Sequence, residues 1–275
     1  MKPVDIDHLV IDLRARSTPF ALATVVRTVA ATATKAGAKA VIGADGTISE
    51  GWIGGGCARA AVLKAALDAL ADGKPRLVSV QPKDLLGAQG VEPGEERDGI
   101  RFASNMCPSK GTMDVFVEPI MPMPELVIFG ASPVAVALAD LGGRMGFSRT
   151  IVAPAEDQPA FEEAERRIEG YALDVVPTVM PNARRFVVVA TQGRGDKPAL
   201  QAALAVGARY VAFVGSRAKG QSLRRLLVRE GVEAEALAAL KVPAGLDIGA
   251  LTPEEIALSI LAEVIQARRS GAGRP

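Results

Sequence analysis

The sequence predicts an α/β protein in two parts, an N-terminal mixed α/β domain followed by a Rossmann-like parallel-sheet domain. In the second half, short apolar runs such as "ELVIFG", "RFVVVAT" and "YVAFVGS" alternate with helical stretches, the pattern of strands buried on both faces by crossover helices. The first half instead mixes alternating, strand-like segments with two helical ones. Between the halves, "PIMPMP" at 119–124 sets three prolines in six residues, which neither a helix nor a strand ladder continues. That places the domains at 1–120 and 125–275.

Taken in order, a helix is predicted over about 5–15, followed by a strand in "FALATVVRTVA". Asp45-Gly46 supplies a hairpin turn between two short strands in "AVIGADGTISEG". From Cys57 to Ala71, Val62, Leu63, Leu67 and Leu70 recur at helical spacing, and Gly73 ends the helix. "RLVSV" and "TMDVFVEPI" read as strands, with "PKDLLGAQGVEPGEERDG" as a polar loop between them. After the boundary, strands "ELVIFG", "RTIVAP", "DVVPTVM", "RFVVVAT" and "YVAFVGS" are separated by helices near 133–145, 158–169, 197–206 and 220–230. The last helix opens "LTPEE", with Thr252 as cap, Pro253 at its first position and Glu255 completing a capping box.

Composition narrows the function classes. With 32 Lys and Arg against 31 Asp and Glu, the formal charge of +1 gives no general attraction to nucleic acid or anionic lipid. No transmembrane segment is expected: the longest apolar uncharged stretch, "LVIFGASPVAVALA" at 126–139, is shorter than the ~18 residues a span needs. The first residues lack a signal-peptide core, so a cytoplasmic location is expected. Two cysteines make no disulfide framework, and one histidine, His8, leaves almost no material for a metal site.

The stretch "GWIGGGCARAAVLKAAL" at 51–67 runs three glycines and a cysteine into a helix. As structure, Gly54, Gly55 and Gly56 let the chain turn tightly. As function, they expose backbone N–H groups at a helix start to a phosphate or other anion, and the same dipole favours a thiolate at Cys57. Cys107, in "SNMCPSKGT", stands in a turn marked by Pro108 and Gly111 and by itself reads as inert. In "FGASPVAVALADLGG", a dinucleotide fingerprint would fall on Gly130, Ser132 and Ala135, so only the first glycine is kept. Ser132 obstructs a pyrophosphate unless its hydroxyl binds the ligand. Ala153 and Pro154 stand where a ribose-binding acid belongs, with Glu156 and Asp157 further on, so ordinary NAD(P) binding is disfavoured. Thr191, Gln192, Arg194, Gly215, Ser216 and Arg217 close the later strands on the same rim, either as helix caps or as the wall of a cleft for an anion.

These residues resemble a known family. "GWIGGGC", "CPSKGTMDVFVEP", "LVIFGASPVAVALADLGGRMGF", "YVAFVGSRAKG" and "VPAGLDIGALTPEEIALSILAEVIQARR" are together similar to the XdhC/CoxI family, the accessory proteins that mature molybdenum hydroxylases such as xanthine dehydrogenase and CO dehydrogenase. "CPSKGT" and "ATQGRGD" look closer to its CoxF-like members. The resemblance implies a chaperone, rather than an enzyme, that binds molybdenum cofactor as cargo, in its molybdopterin or cytosine dinucleotide form. It also implies help in sulfurating that cofactor with a cysteine desulfurase, delivery to an apo molybdenum hydroxylase, and a homodimer. On this reading Cys57 carries the sulfur chemistry, and Gly54, Gly55, Gly56, Cys57, Cys107, Gly130, Ser132, Gln192 and Ser216 contact the cofactor. The alternatives are an NAD(P)-dependent oxidoreductase built on the second half, and a docking protein that bridges hydroxylase and desulfurase without a small ligand.

Overall fold

The computed structural model describes residues 5–30, 32–106, 110–171 and 184–270, with residue 57 described by its backbone. The chain divides into two compact units, 1–122 and 123–275.

Unit 1 is a seven-stranded mixed sheet in the order β3-β2-β1-β7-β4-β6-β5. Helix α1 (Ile6–Ala15) is followed by β1 (Phe20–Val29) and the hairpin of β2 (Lys39–Gly43) with β3 (Ile48–Gly51). Helix α2 (Gly56–Asp72) stops at Gly73, whose left-handed φ of 74° suits glycine. Then come β4 (Arg76–Pro82), α3 (Lys83–Ala88), β5 (Glu96–Arg97), β6 (Ile100–Asn105) and β7 (Thr112–Ile120). Alternation places Ala21, Ala23, Val25, Val78, Val80, Val115 and Val117 on one face, where α2 covers them with Val62, Ala65, Ala66 and Ala69. The segment expected as a polar loop at 82–99 contains α3 and β5. Leu86 and Val91 leave the solvent to pack on Phe102 of β6, a burial that overrides the loop's polar composition. Cys107 lies outside the described residues.

Unit 2 is a five-stranded parallel sheet in the order β10-β9-β8-β11-β12. Its strands are β8 (Glu125–Phe129), β9 (Ser148–Ala153), β10 (Arg166–Glu169), β11 (Arg185–Val189) and β12 (Tyr210–Phe213). The helices are α4 (Pro133–Arg144), α5 (Asp196–Ala205), α6 (Arg217–Arg229), α7 (Ala234–Ala239) and α8 (Pro253–Arg269). Leu126, Ile128, Phe186 and Val188 face α4 and α8, while Val127, Phe129, Val187 and Val189 face α5, α6 and α7. Both faces are thus covered, as all-apolar strands require. The helix expected near 158–169 is absent: Ala155–Phe161 forms a short 3₁₀ helix containing Pro159, and Arg166–Glu169 joins β9 as a parallel edge strand. Proline stops the helical ladder there, and sheet pairing wins over the helical propensity of the charged residues. The strand expected in "DVVPTVM", 174–180, and the tail beyond 270 lie outside the described residues.

At the amino ends of these strands, the wholly buried Arg185 donates through Nε to Glu125 Oε2 (2.7 Å) and through Nη1 to Val206 O (3.0 Å), and Thr150 donates to Glu125 Oε1 (2.8 Å). This satisfied pair fixes one end of the sheet. The opposite, carboxyl ends carry the loops where ligands of such sheets bind.

Candidate functional site

In unit 1 the glycine loop grows out of β3. Gly51 (φ 89°) lies so close to β2 that a Cβ there would stand 2.2 Å from the Lys39 carbonyl oxygen, so only glycine fits. Trp52 is half exposed and its N–H donates to Lys39 O (3.0 Å), while Ile53 and Gly54 are buried. Gly54 holds a φ of 105°, and a Cβ on it would meet Met113 Cε and Ala58 Cβ at ordinary contact distances. Gly55 is different. It is the N-cap of α2 with φ −102°, a conformation open to any residue, it is exposed, and a Cβ on it would have none of the described residues within 4 Å. Ser, Thr, Asp or Asn there would cap the helix better. Instead, no side chain caps α2 and no acidic residue stands in its first turn.

The start of α2 lies beside Met113, which pairs with Val80 near the carboxyl end of β4 and with Thr28 near that of β1. At the same end, β4 and β6 run out side by side, Gln81 opposite Ser104 and Pro82 opposite Asn105. Asn105 Nδ2 donates to Gly111 O (2.7 Å), and Lys110 pairs with Asp84 (2.7 Å). The start of α2 and the described residues Asn105, Lys110 and Gly111 therefore stand at one end of the sheet. Gln81 and Ser104 were not singled out from the sequence. Gln81 is buried and donates to Ser79 Oγ (2.8 Å), and its Oε1 and the Ser104 hydroxyl are buried without partners among the described residues. The signal for them was a polar residue at the end of each of two strands, "RLVSVQP" and "IRFASN".

In unit 2 the corresponding turn is closed. Gly130 (φ 100°) presses on the neighbouring loop, and a Cβ there would stand 2.7 Å from both Ala190 O and Thr191 Cα. Ser132 is buried and its hydroxyl accepts the Ala135 N–H (3.2 Å), while Pro133 brings no N–H to the first position of α4. Beyond β11, Thr191 donates to Asp196, Gly193 N–H donates to the same Oδ1 (2.9 Å), and Lys219 pairs with Asp196. Burial pushes the Asp196 carboxyl up, but Lys219, Thr191 and Gly193 outweigh it and hold the carboxyl below its ordinary range. Gln192 is exposed at φ 52°, and Ser216 caps α6 by accepting the Lys219 N–H (3.2 Å). Arg194 reaches Asp157 (3.4 Å) and Glu156 (3.5 Å), the acids beyond β9. Gly130, Ser132, Gln192 and Ser216 thus gather at the carboxyl edge of one sheet, and Gly54, Gly55 and Gly56 line one turn in unit 1.

A mixed-sheet unit with an uncapped glycine turn, joined to a Rossmann-type parallel-sheet unit, defines the class of the protein. Its members are known by sequence as well: the XdhC Rossmann domain matches residues 126–264, and the XdhC and CoxI family matches residues 13–81. The chain belongs to the XdhC and CoxI family. It is 31% identical over 268 residues to YqeB of Escherichia coli, covering 95% of this chain and 46% of that protein. It is 31% identical over 165 residues to a Bacillus subtilis protein described as a probable component of xanthine dehydrogenase, covering 58% of this chain and 47% of that one. The chain spans about half the length of the curated relatives it matches. A crystal structure described as a xanthine dehydrogenase of Bacillus halodurans is similar at a TM-score of 0.46 and 21% identity, over 99% of this chain and 98% of that one. Among the described residues no helix is long and apolar enough to cross a membrane.

Proposed function

We propose that the protein is a maturation factor that binds molybdenum cofactor at the glycine turn of unit 1, assists its sulfuration and delivers it to an apo molybdenum hydroxylase. Gly55 carries this reading. Neither the backbone conformation nor the packing of the described residues asks for glycine at that position, and a better helix cap is forgone. An anion approaching the first-turn N–H groups accounts for both, because a side chain there would occupy its path. The cofactor supplies such an anion in its phosphate, or pyrophosphate in the cytosine dinucleotide form, and its soft, sulfur-ligated metal suits a cysteine thiolate. Cys57 follows as the second residue of α2, and in the sequence Cys107 comes two residues after Asn105, the last residue of β6. The name of the Bacillus subtilis relative favours a client of the xanthine dehydrogenase type, and the CoxF-like segments favour the CO dehydrogenase type. A cysteine desulfurase supplies the sulfur, and the chain works as a homodimer. The closed turn at Gly130 speaks for this reading over an NAD(P)-dependent oxidoreductase: Ser132 and Pro133 together take two N–H groups from the place where a pyrophosphate would be held.

Gel filtration of the full chain after mixing with molybdenum cofactor, followed by pterin fluorescence of the protein peak, tests the reading. Near-stoichiometric retention by the wild type, lost in Gly55→Asp with a thermal midpoint no lower than the wild type's, is expected. Cys57→Ser retains pterin but yields poorly sulfurated hydroxylase. A wild-type protein that carries no pterin off the column overturns the proposal.

A further inference from the structure

A cavity of about 590 Å³ opens in unit 2 at the outer edge of the sheet, away from the β8–β11 junction where the strand order reverses. Its wall includes Val214 beyond β12, Arg217 at the start of α6, Leu246, Asp247 and Ile248 of the following loop, and Ile256 of α8. The loop is built to stand in place. Lys241 N–H donates to Val211 O (2.9 Å), Phe213 N–H to Lys241 O (2.9 Å) and Ala244 N–H to Phe213 O (3.0 Å), so the chain runs along the free edge of β12. Gly245 N–H then donates to Glu263 Oε2 (2.9 Å), which also accepts from Tyr210 Oη (2.5 Å). Gly245 has φ 95°, and a Cβ on it would stand 2.3 Å from Ser259 Oγ, so the turn into the cavity rim admits only glycine. The far end is tied by Leu251 and Thr252 N–H groups donating to Glu255 Oε2 (2.7 and 3.0 Å).

Anchored this firmly, the loop still leaves Leu246 and Ile248 37% and 54% exposed on the cavity. Arg217 and Asp247 line the same space, and among the described residues neither side chain has a hydrogen-bond or ion-pair partner. Surface charges of this chain are otherwise often paired across short distances, as Arg194 is with Asp157 and Lys219 with Asp196. An apolar wall interrupted by one free cation and one free anion is complementary to a small molecule with the reverse arrangement. A volume of about 590 Å³ falls within the ~300–1,000 Å³ of pockets for ring-bearing organic ligands.

We propose that this cavity binds a planar heterocycle that carries an anionic group, with Arg217 taking the anion, Asp247 accepting from an N–H edge of the ring, and Leu246, Ile248 and Ile256 covering its faces. Phosphorylated pterins and nucleoside monophosphates share this chemistry. The assignment does not depend on what the glycine turn of unit 1 holds.

Isothermal titration of the full chain with neopterin monophosphate, GMP, CMP and inorganic phosphate, each beside its unphosphorylated counterpart where one exists, tests it. At least one of the phosphorylated heterocycles binds and raises the thermal midpoint. Arg217→Gln weakens that probe roughly tenfold, the size of a lost charged hydrogen bond, without touching the unphosphorylated form. Asp247→Asn weakens neopterin phosphate and GMP, which present paired N–H donors, more than CMP, and the affinity of neopterin phosphate relative to GMP separates a pterin from a nucleotide source. Both residues are exposed and, among the described residues, unpaired, so both variants keep the wild-type midpoint without ligand. Absence of binding by every heterocycle at millimolar concentration overturns the proposal. So does binding that ignores both substitutions, or inorganic phosphate that binds as well as any ring-bearing probe.

Discussion

Each unit leads a strand through glycine into a helix, and the two turns are built to opposite ends. At Gly130 the turn is packed backbone against backbone, the Ala135 N–H is taken by the Ser132 hydroxyl, and Pro133 has no N–H to offer a ligand. At Gly55, among the described residues, the turn has room, no side-chain cap and no neighbour. Glycine in the first case is demanded by the fold. In the second the fold is indifferent to it, and such indifference is the better pointer to function.

Substitutions break or sharpen that contrast. Gly130→Ala has the largest effect: a Cβ 2.7 Å from two backbone atoms, at φ 100°, costs roughly 3 kcal/mol or more in urea unfolding. Gly54→Ala, equally left-handed at φ 105° but with its nearest contact at 3.6 Å, costs about 1–2 kcal/mol by the same measurement. Ser132→Ala removes a buried cap and costs ~1 kcal/mol, with no change in pterin retention. Gly55→Ser has the smallest effect on stability, a gain of a few tenths of a kcal/mol, yet it lowers cofactor retention. A Gly55→Ser protein that is destabilised by as much as Gly130→Ala would erase the distinction.

Much of the fold was legible because its signals are local. The periodicity of Val62, Leu63, Leu67 and Leu70 marked α2, and Thr252, Pro253 and Glu255 marked the start of α8, where the capping box is formed as expected. The stretch 158–169 misled because its charged residues favour helix in isolation, while its place beside β9 was invisible. Strand β6 and helix α3 escaped notice because each is stabilised by a small cluster of Leu86, Val91 and Phe102 that forms only when residues 11–16 apart in sequence meet. At the candidate site, the glycines and cysteines stood out by composition. Gln81 and Ser104 did not, since a polar residue near the end of a strand is a weak signal until its polar atoms prove buried.

By itself, then, the sequence determined the two-part α/β organisation, the main helices with their caps, and the family likeness, all of which follow from short-range patterns of apolar, capping and turn residues. Only the tertiary structure decided which glycines are needed for packing and which leave open space, which polar groups are satisfied, and that Arg217 and Asp247 share one cavity. The reason is that free volume and unmet hydrogen bonds belong to groups distant in the chain and do not exist until those groups are brought together.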